Sequence, residues 1–261
     1  NTNSMEDKLI LITGGSSGIG KATAAQLHKK GARIILQARG IDKLKSAATE
    51  ISKNGDRITY YSTDLTNQEA VENSAKEIVE KEGLPDVIIN SAGAGEWLSF
   101  KEANTAHFEE TMNSPYLITA LTCKVFYNKM QKRGTGHFII VNSAGCYFSF
   151  PGATGYLPAR WAMLGFAKSL QADLLSSNFN VSMVALGKVA SPYFQNNPVS
   201  EERIPRISNI LIPTMTEKQA GSVILKSVLT KRSTAIRPRL LLFFVFLNRL
   251  FPRFFSFLMR K

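Results

Sequence analysis

Short apolar runs alternate with longer stretches of helical periodicity over most of the chain. Six runs have the length and the apolar content of buried strands: KLILIT, RIILQARG, ITYYSTDLT, DVIIN, HFIIVN and NVSMVAL. The segments between them space their apolar residues three and four positions apart, which is typical of helices. Strands that alternate with helices predict a parallel sheet with helices on both faces and right-handed crossovers. The predicted fold class is therefore α/β, with a doubly wound parallel sheet in a single domain.

Two segments depart from this regular alternation. The longest helical pattern, residues 104–131, contains Asn113 followed by Ser114 and Pro115. Because proline lacks an N–H and disturbs the preceding turn, we expect a kink that exposes backbone carbonyls near Asn113. Residues 188–215 are too long for a simple connector, and we predict an irregular, substrate-facing loop there. Four of its apolar side chains would form a pocket wall: Tyr193, Phe194, Ile204 and Ile207.

The positive charge of the chain is concentrated in its last part. Of the formal net charge of +12, ten units come from Lys218 onward, where no acid occurs, so residues 1–217 carry only +2. This distribution argues against a nucleic-acid-binding domain, which spreads basic residues over one face of the fold. We assign residues 1–235 to the α/β domain and residues 236–261 to a hydrophobic, basic tail.

The remaining composition indicates neither a disulfide framework nor a metal site. Cys123 and Cys146 are the only cysteines, and the three histidines show no ligand spacing. Free thiols in a reducing compartment are therefore expected, with no metal bound. Residues 1–7 are polar and carry no apolar signal region. They are either a cloning remnant or the stub of a longer leader.

A glycine-rich turn joins the first predicted strand to the helix that follows it. Gly14 would permit a sharp turn, Gly18 would let the backbone approach a phosphate, and Gly20 would let helix and strand pack closely. The amino terminus of the helix then offers N–H groups to a pyrophosphate. The turn predicts a dinucleotide site, with a merely structural turn as the alternative. The second strand ends without an acid for the adenosine ribose, and Arg39 there favours the 2′-phosphate of NADP(H) over a role as a solvated surface residue.

A serine, a tyrosine and an arginine form the candidate reactive group. Ser143 ends the fifth predicted strand, thirteen residues before Tyr156, and Arg160 follows one helical turn later. Tyr156 and Arg160 would share one helix face, and the carboxyl ends of parallel strands are where ligands bind. A hydroxyl, a phenol and a fixed cation in one crevice can pass a proton to or from a carbonyl oxygen. Because such a spacing also arises by chance, it gains meaning only beside the dinucleotide turn.

Over residues 1–195 the chain resembles the short-chain dehydrogenase/reductase family, which has a Rossmann fold. The motifs that carry the resemblance are TGGSSGIG at 13–20, NSAG at 90–93, Asn113, Ser143, Tyr156 and GKVAS at 187–191. The resemblance implies that Tyr156 is the general acid or base and that Ser143 hydrogen-bonds the substrate oxygen. It implies that Asn113 holds a helix kink and a water of the proton relay. The implied cofactor-binding residues are Gly14, Ser16, Ser17, Gly18, Ile19, Gly20, Arg39, Asp64, Leu65, Asn90, Ala92, Gly93, Tyr156, Arg160, Gly187, Val189 and Ser191.

Two positions depart from the family pattern. Leu186 stands where the family usually has a proline, and Arg160 replaces its usual lysine. The resemblance implies that this lysine binds the nicotinamide ribose and favours the ionised tyrosine. A guanidinium can do both, because it is a permanent cation with a planar fork of donors. It does not give up a proton in proteins, so a relay through Arg160 should be impaired.

The tail combines a large aromatic content with basic residues. Seven of the sixteen phenylalanines lie in residues 240–261, and the longest uncharged apolar run, Leu240–Leu247, has eight residues. A helix that crosses a bilayer needs about twenty. On a helix Arg249, Arg253, Ser256 and Arg260 would share a narrow sector, which predicts an amphipathic segment in the membrane interface, interrupted near Pro252. The alternatives are packing onto the domain or an oligomer interface.

Together these observations predict an NADPH-dependent oxidoreductase that reduces a carbonyl, or oxidises the alcohol, of a hydrophobic substrate such as a long-chain keto lipid, sterol or retinoid. The alternative is a catalytically weak NADP-binding protein, because of Arg160. The expected partners are the substrate, a membrane surface bound through the tail, and a second or further copies in a homodimer or homotetramer, but no nucleic acid. The expected location is the cytoplasmic face of a membrane, the endoplasmic reticulum in a eukaryote.

Overall fold

The computed structural model describes residues 5–93 and 95–260 of the chain. Residues 1–4, Ala94 and Lys261 lie outside the described residues, and with them most of the leading segment of unassigned origin. A seven-stranded parallel sheet has the order β3-β2-β1-β4-β5-β6-β9. The strands are β1 (Leu9–Thr13), β2 (Arg33–Ala38), β3 (Ile58–Ser62), β4 (Val87–Asn90), β5 (Thr135–Ser143), β6 (Asn178–Leu186), β7 (Val189–Ala190), β8 (Met215–Thr216) and β9 (Thr234–Arg237).

Strand β1 explains why helices must cover both faces of the sheet. All five of its residues are buried. Leu9 and Leu11 join one apolar cluster, whereas Ile10 and Ile12 join another. Because successive side chains of a strand point to opposite faces, a strand that is apolar throughout needs a cover on each side. This arrangement confirms the predicted fold class, a doubly wound parallel sheet in one domain.

The helices follow the strands in the expected alternation. They are α1 (Gly18–His28), α2 (Ile41–Ile51), α3 (Gln68–Lys81), α4 (Thr105–Thr111), a π-helical turn (Met112–Leu117), α5 (Ile118–Met130), a 3₁₀ turn (Ala144–Tyr147), α6 (Tyr156–Asp173), α7 (Pro192–Asn196), α8 (Pro198–Glu202), α9 (Arg206–Leu211), α10 (Glu217–Thr230), α11 (Leu240–Leu250) and α12 (Pro252–Leu258). The third strand ends at Ser62, so Asp64 and Leu65 follow the strand rather than end it.

The predicted kink in the long helical segment is present. Ser114 leaves the helical region with φ −129° and ψ 109°, and the turn that contains it has π-helical character. Pro115 cannot donate the backbone hydrogen bond that a continuous helix needs at this position. The segment is therefore divided into α4 and α5, and Asn113 lies in the turn between them.

The segment 188–215 differs from the predicted irregular loop. It contains β7 and the three short helices α7, α8 and α9, and it ends in β8, whose Met215 pairs with Val189. Pro192 and Pro198 stand at the first positions of α7 and α8. Proline is favourable there because its missing N–H has no partner in a first turn and its fixed φ suits a helix. The prediction of an irregular segment was therefore wrong, since it rested on the length of the segment and not on the helix starts that its prolines favour.

The tail begins from the sheet itself. Strand β9 pairs with β6 from Thr234 to Arg237, so the predicted boundary between residues 235 and 236 falls inside a strand. Helix α11 ends at Leu250 and α12 begins at Pro252, which confirms the predicted interruption. We call these two helices the tail helices. Among the described residues, no helix combines the length and the apolar character needed to cross a membrane.

Candidate active site

A cavity of about 500 Å³ lies at the carboxyl ends of the parallel strands. It extends from the glycine-rich turn after β1, past the end of β5, to the segment after β6. Most of the predicted site residues line it: Gly14, Ser17, Gly18, Ile19, Gly20, Arg39, Ala92, Gly93, Ser143, Tyr156, Arg160, Gly187, Val189 and Ser191. The cavity therefore has a glycine-rich end, a centre at Ser143 and Tyr156, and an opposite end lined largely by apolar side chains.

The glycine-rich end is shaped by close backbone contacts. Gly14 has φ +67°, and a Cβ there would lie 2.8 Å from the backbone nitrogen of Ala92. A Cβ on Gly20 would lie only 2.3 Å from the carbonyl oxygen of Gly14. Thr13 Oγ1 accepts hydrogen bonds from the Ser91 and Ala92 amides, at 3.2 Å each, and so joins the turns after β1 and β4. The geometry leaves the amino terminus of α1 open to the cavity.

The end of β2 presents a cation and no acid. Arg39 is exposed and lines the cavity. Gln37 points away from solvent, and its Nε2 donates to Thr63 Oγ1 at 3.2 Å and to Ser74 Oγ at 2.9 Å. The Asp64 carboxylate accepts bonds from the Thr66 hydroxyl and amide, which lower its pKa. This part of the cavity is therefore suited to an anionic group beside Arg39.

The centre of the cavity brings together the three predicted reactive residues. A Cβ on Gly145 would lie 3.4 Å from Ser143 Oγ and 3.7 Å from Tyr156 Cε1, so the hydroxyl and the phenol ring are neighbours. The Gly145 amide donates to Ser143 Oγ at 3.1 Å, which leaves the serine proton available to a ligand. The Arg160 guanidinium carbon lies 4.9 Å from the centre of the Tyr156 ring, as expected from their shared helix face.

The arginine has a donor without a partner. Asn142 Nδ2 donates to the Arg160 carbonyl at 3.0 Å, which fixes the start of α6 against the end of β5. Arg160 Nη1 approaches Met163 Sδ at 3.7 Å. Within the described residues, Arg160 Nε is buried and has no hydrogen-bond partner. A buried N–H of this kind is costly unless a ligand satisfies it.

Five predicted site residues do not line the cavity: Ser16, Asp64, Leu65, Asn90 and Asn113. Asn90 is fully buried, and its Nδ2 donates to Cys123 Sγ and to the Ile139 carbonyl, both at 3.3 Å. The Asn90 side chain therefore joins β4 to β5 and to α5. Asn113 is exposed in the π-helical turn. Its predicted role would rest on the backbone of that turn rather than on a side chain that faces the cavity.

The apolar end of the cavity contains an aromatic cluster that the sequence did not reveal. The Trp97 ring lies 5.0 Å from the Tyr156 ring and 5.1 Å from the Phe150 ring. The Trp97 amide donates to Ser200 Oγ at 2.9 Å, and Arg203 Nη1 donates to the Trp97 carbonyl at 2.8 Å. A bulky aromatic residue soon after the NSAG motif was the available signal. The hydrogen bonds to the Trp97 backbone come from Ser200 in α8 and from Arg203 directly after α8, which are remote from Trp97 in sequence.

The predicted pocket wall is confirmed, since Tyr193, Phe194, Ile204 and Ile207 all line the cavity. The Tyr193 hydroxyl donates to the Gly95 carbonyl, and burial raises the pKa of this phenol. Burial also raises the pKa of the Cys146 thiol to about 12, so this neighbour of the site is protonated at neutral pH and is a poor nucleophile. Tyr156 lies where the polar end of the cavity meets the apolar end, beside Trp97.

The tail helices also contribute to the cavity. Five of their residues or residues directly after them line it: Leu241, Phe244, Phe255, Leu258 and Met259. Leu241 and Phe255 are each 5% exposed, so one face of the tail packs on the domain. Packing onto the domain is one of the alternatives that the sequence left open. The opposite face of the tail helices stays exposed.

Comparison with known proteins places this geometry in a family. The family model described as short chain dehydrogenase matches residues 8–202. The chain belongs to the short-chain dehydrogenase/reductase family. It is therefore an oxidoreductase of that family, as the motifs at 13–20 and 90–93 indicated.

The similar proteins include oxidoreductases from a mammal and from a bacterium. The 3-ketodihydrosphingosine reductase of Bos taurus is 31% identical over 219 residues, which cover 80% of this chain and 66% of the relative. An uncharacterized oxidoreductase of Mycobacterium bovis is 27% identical over 239 residues, covering 90% of this chain and 67% of the relative. The chain thus spans about two thirds of the length of these relatives.

Solved structures share the fold. A short chain dehydrogenase/reductase from Burkholderia phymatum in complex with NAD has a TM-score of 0.85 at 17% identity, covering 97% of this chain and 96% of its own. The L-sorbose reductase of Gluconobacter frateurii, complexed with NADPH and L-sorbose, has a TM-score of 0.79 at 20% identity, covering 90% and 97%. At these identities the likeness shows the fold alone.

Proposed function

We propose that the protein is an NADPH-dependent carbonyl reductase that acts on a hydrophobic ketone or aldehyde, such as a long-chain keto lipid, sterol or retinoid. One observation carries the proposal: a single cavity joins a glycine-rich helix start, the Ser143–Tyr156–Arg160 group and an apolar end. The family relationship supports the reaction class, and relatives such as the bovine reductase support a lipid substrate by their names.

The residues present fit a dinucleotide. The positive φ of Gly14 and the close backbone contacts at Gly14 and Gly20 shape a tight turn that leaves the start of α1 open to the cavity, as a pyrophosphate needs. The buried Arg160 Nε, which lacks a partner within the described residues, suits a ribose hydroxyl. Exposed Arg39 suits a 2′-phosphate, and β2 ends without an acid that would bind a free 2′-hydroxyl. These features support NADPH as the preferred cofactor.

The chain's own residues would handle the proton. When bound, the reduced nicotinamide supplies the hydride that the carbonyl carbon receives. The Ser143 hydroxyl would donate a hydrogen bond to the carbonyl oxygen, because that oxygen can only accept and the serine proton is free while its Oγ accepts from the Gly145 amide. The Tyr156 phenol would give its proton to that oxygen as negative charge develops there. The guanidinium over the Tyr156 ring would stabilise the phenolate that remains.

The lining of the cavity narrows the substrate class. Among the described residues that line it are three cationic side chains, Arg39, Arg160 and Lys188, and no carboxylate. Lys188 is already paired with Glu201 at 2.8 Å. A substrate with a positive charge would find no counter-ion here, and burying an unpaired charge is costly. The favoured substrate is therefore a neutral or anionic carbonyl compound with an apolar body.

The test is NADPH oxidation in mild detergent with long-chain and polycyclic ketones, comparing the native protein with Tyr156→Phe. We expect the variant to lose at least about 100-fold in turnover, because it lacks the acid. Its NADPH affinity should stay within about twofold of the native value, because the ring and its packing remain. Turnover that persists in the variant would refute the proposed role of Tyr156.

A second candidate function is supported by Arg160. Its guanidinium packs on the Tyr156 ring and does not release a proton, so a relay back to Tyr156 through this side chain is blocked. The protein would then bind NADPH with little turnover. For the reductase we expect Arg160→Lys to raise turnover roughly three- to tenfold by restoring a relay cation that can exchange protons. A variant with unchanged, near-zero turnover and intact NADPH binding would favour the binding protein.

We also propose a homodimer or homotetramer attached to the cytoplasmic face of a membrane. The support is the family relationship for the assembly and the aromatic, basic tail for the attachment. Light scattering in detergent, with and without the tail helices, tests the assembly. A monomer at micromolar concentration would contradict it.

A further inference from the structure

We infer that the tail helices are two-sided: their inner face closes the apolar end of the substrate cavity, and their outer face lies in an anionic lipid bilayer. The carbonyl substrate then enters the cavity from the lipid rather than from water. The inference rests on the proposed carbonyl reductase for the meaning of the cavity, but its two structural parts can be tested without turnover.

The inner face is held by specific contacts. The Phe255 ring stacks 6.4 Å from Phe148 and lies 6.0 Å from Phe244. Asn248 Nδ2 donates to the Tyr147 carbonyl at 2.9 Å, which fixes the rotation of α11 against the domain. A directional polar contact of this kind, here partly buried, favours one orientation of a helix, whereas apolar packing alone allows several. The inner face is therefore a defined wall and not a loosely placed anchor.

That wall contacts two turns that line the cavity, one directly after Ser143 and one directly after β6. Tyr147 and Phe148 end and follow the 3₁₀ turn that starts directly after Ser143. On the other side, a Cβ on Gly187 would lie 3.1 Å from Leu241 Cδ1, so α11 packs against the turn after β6. Both turns line the cavity. A displacement of the tail would therefore reshape the space where a substrate chain must lie.

The outer face is apolar and aromatic. Four phenylalanines of the tail helices, Phe243, Phe246, Phe254 and Phe257, are between 55% and 61% exposed. Exposed apolar groups in such density mark an interaction surface rather than an ordinary solvated face. Two adjacent residues show how the tail helices are divided into an inner and an outer face: Phe243 is exposed, whereas Phe244 lines the cavity.

Charge complementarity identifies the occupant of the outer face. Arg239, Arg249, Arg253 and Arg260 are all exposed, and no acid occurs after Glu217. Aromatic side chains flanked by arginines suit the boundary between acyl chains and anionic headgroups. A protein partner would need an equally large acidic and aromatic surface. The occupant of the outer face is therefore an anionic bilayer.

The cavity has an edge at the same surface. Leu258 and Met259 line the cavity and are themselves partly exposed. A helix with its side chains is about 10 Å wide, so the outer and inner faces are separated by a single layer. A substrate dissolved in the bilayer would reach the cavity beside α12 without crossing water.

The test uses neighbouring residues with the same substitution. In the full chain we compare Phe243→Glu, Phe244→Glu and, as a control far from the tail helices in sequence, Leu175→Glu, where Leu175 is 83% exposed. Binding to vesicles of phosphatidylcholine and phosphatidylglycerol is measured by co-sedimentation. We expect Phe243→Glu to weaken vesicle binding at least tenfold, and the other two to stay within twofold of the native protein.

Cavity binding has its own readout. Trp97 lines the cavity, and Trp161→Phe removes the other of the two tryptophans. In that background, a long-chain methyl ketone brominated near its end should quench Trp97 fluorescence. We expect Phe244→Glu to weaken this quenching at least tenfold in detergent micelles, and Phe243→Glu to abolish it only when the ketone is offered in vesicles. Phe244→Ala, with a smaller effect in the same direction, replaces the glutamate variant if the latter does not fold.

The outcomes separate the two proposals. Vesicle binding that survives Phe243→Glu would overturn the bilayer contact, and quenching that survives Phe244→Glu and Phe244→Ala would overturn the cavity wall. If both readouts follow the expected pattern while no ketone is reduced, the two-sided tail stands and the proposed reductase fails. Phosphatidylcholine vesicles alone should bind at least fivefold more weakly; equal binding would overturn the anionic preference.

Discussion

The two ends of the cavity are built in different ways. The glycine-rich end comes from short consecutive segments, where Gly14 and Gly20 control the distance between one strand and one helix. The apolar end is assembled from segments far apart in the chain: Trp97, Phe150, the α7–α9 region and the tail helices. The first depends on backbone geometry and tolerates few side chains. The second depends on side-chain packing and can change its shape while the fold remains.

Gly20→Ala should break the glycine-rich end and have the largest effect. The new Cβ would lie 2.3 Å from the Gly14 carbonyl oxygen, so the turn must move away from the position that a pyrophosphate needs. We expect NADPH affinity to fall at least about 100-fold, measured by fluorescence titration of the cofactor.

Gly165→Ala is the matched control, because nothing lies within 4 Å of the position where its Cβ would be. It lies inside α6, where alanine should stabilise the protein by about 0.5–1 kcal/mol. Equal NADPH affinity in Gly20→Ala and the native protein would contradict the backbone account of this end.

Trp97→Ala should affect the apolar end alone. The ring is 6% exposed and packs on Tyr156 and Phe150, so its removal takes apolar contact from a bound ketone. We expect KM for a hydrophobic ketone to rise roughly 30-fold, with NADPH affinity within about twofold. Trp97→Phe, which avoids the loss of about 3–5 kcal/mol in stability, should show a smaller change in the same direction. A proportional loss of NADPH affinity would show that the two ends are not independent.

Arg39→Ala tests the polar, cofactor-binding end of the cavity, and we expect it to have the smallest effect of these variants. If Arg39 binds the 2′-phosphate, the variant should lose about tenfold in NADPH affinity, which corresponds to one charge-assisted hydrogen bond. NADH affinity should not change, because NADH lacks that phosphate. Parallel titrations with the two cofactors provide the measurement, and an equal loss for both would remove Arg39 from cofactor selection.

The sequence was most informative where neighbouring residues determine the structure. Six strands, the kink at Ser114 and the interruption at Pro252 follow from apolar runs and from the missing N–H of proline. The prediction failed in the 188–215 segment. In that segment Pro192 and Pro198 begin short helices. These helices are too short to be recognised from the sequence pattern, and they depend on packing around the cavity.

Sequence by itself determined the alternation of strands and helices, the glycine turn and the helical spacing of Tyr156 and Arg160, because each depends on residues within one or two turns of chain. Only the tertiary structure showed that Trp97 packs on Tyr156, that Asn113 faces solvent and that Phe244 lines the cavity while Phe243 does not. The amphipathic pattern predicted one apolar face and one basic face for the tail. Packing against Phe148 and Gly187 instead divided its phenylalanines between two apolar surfaces.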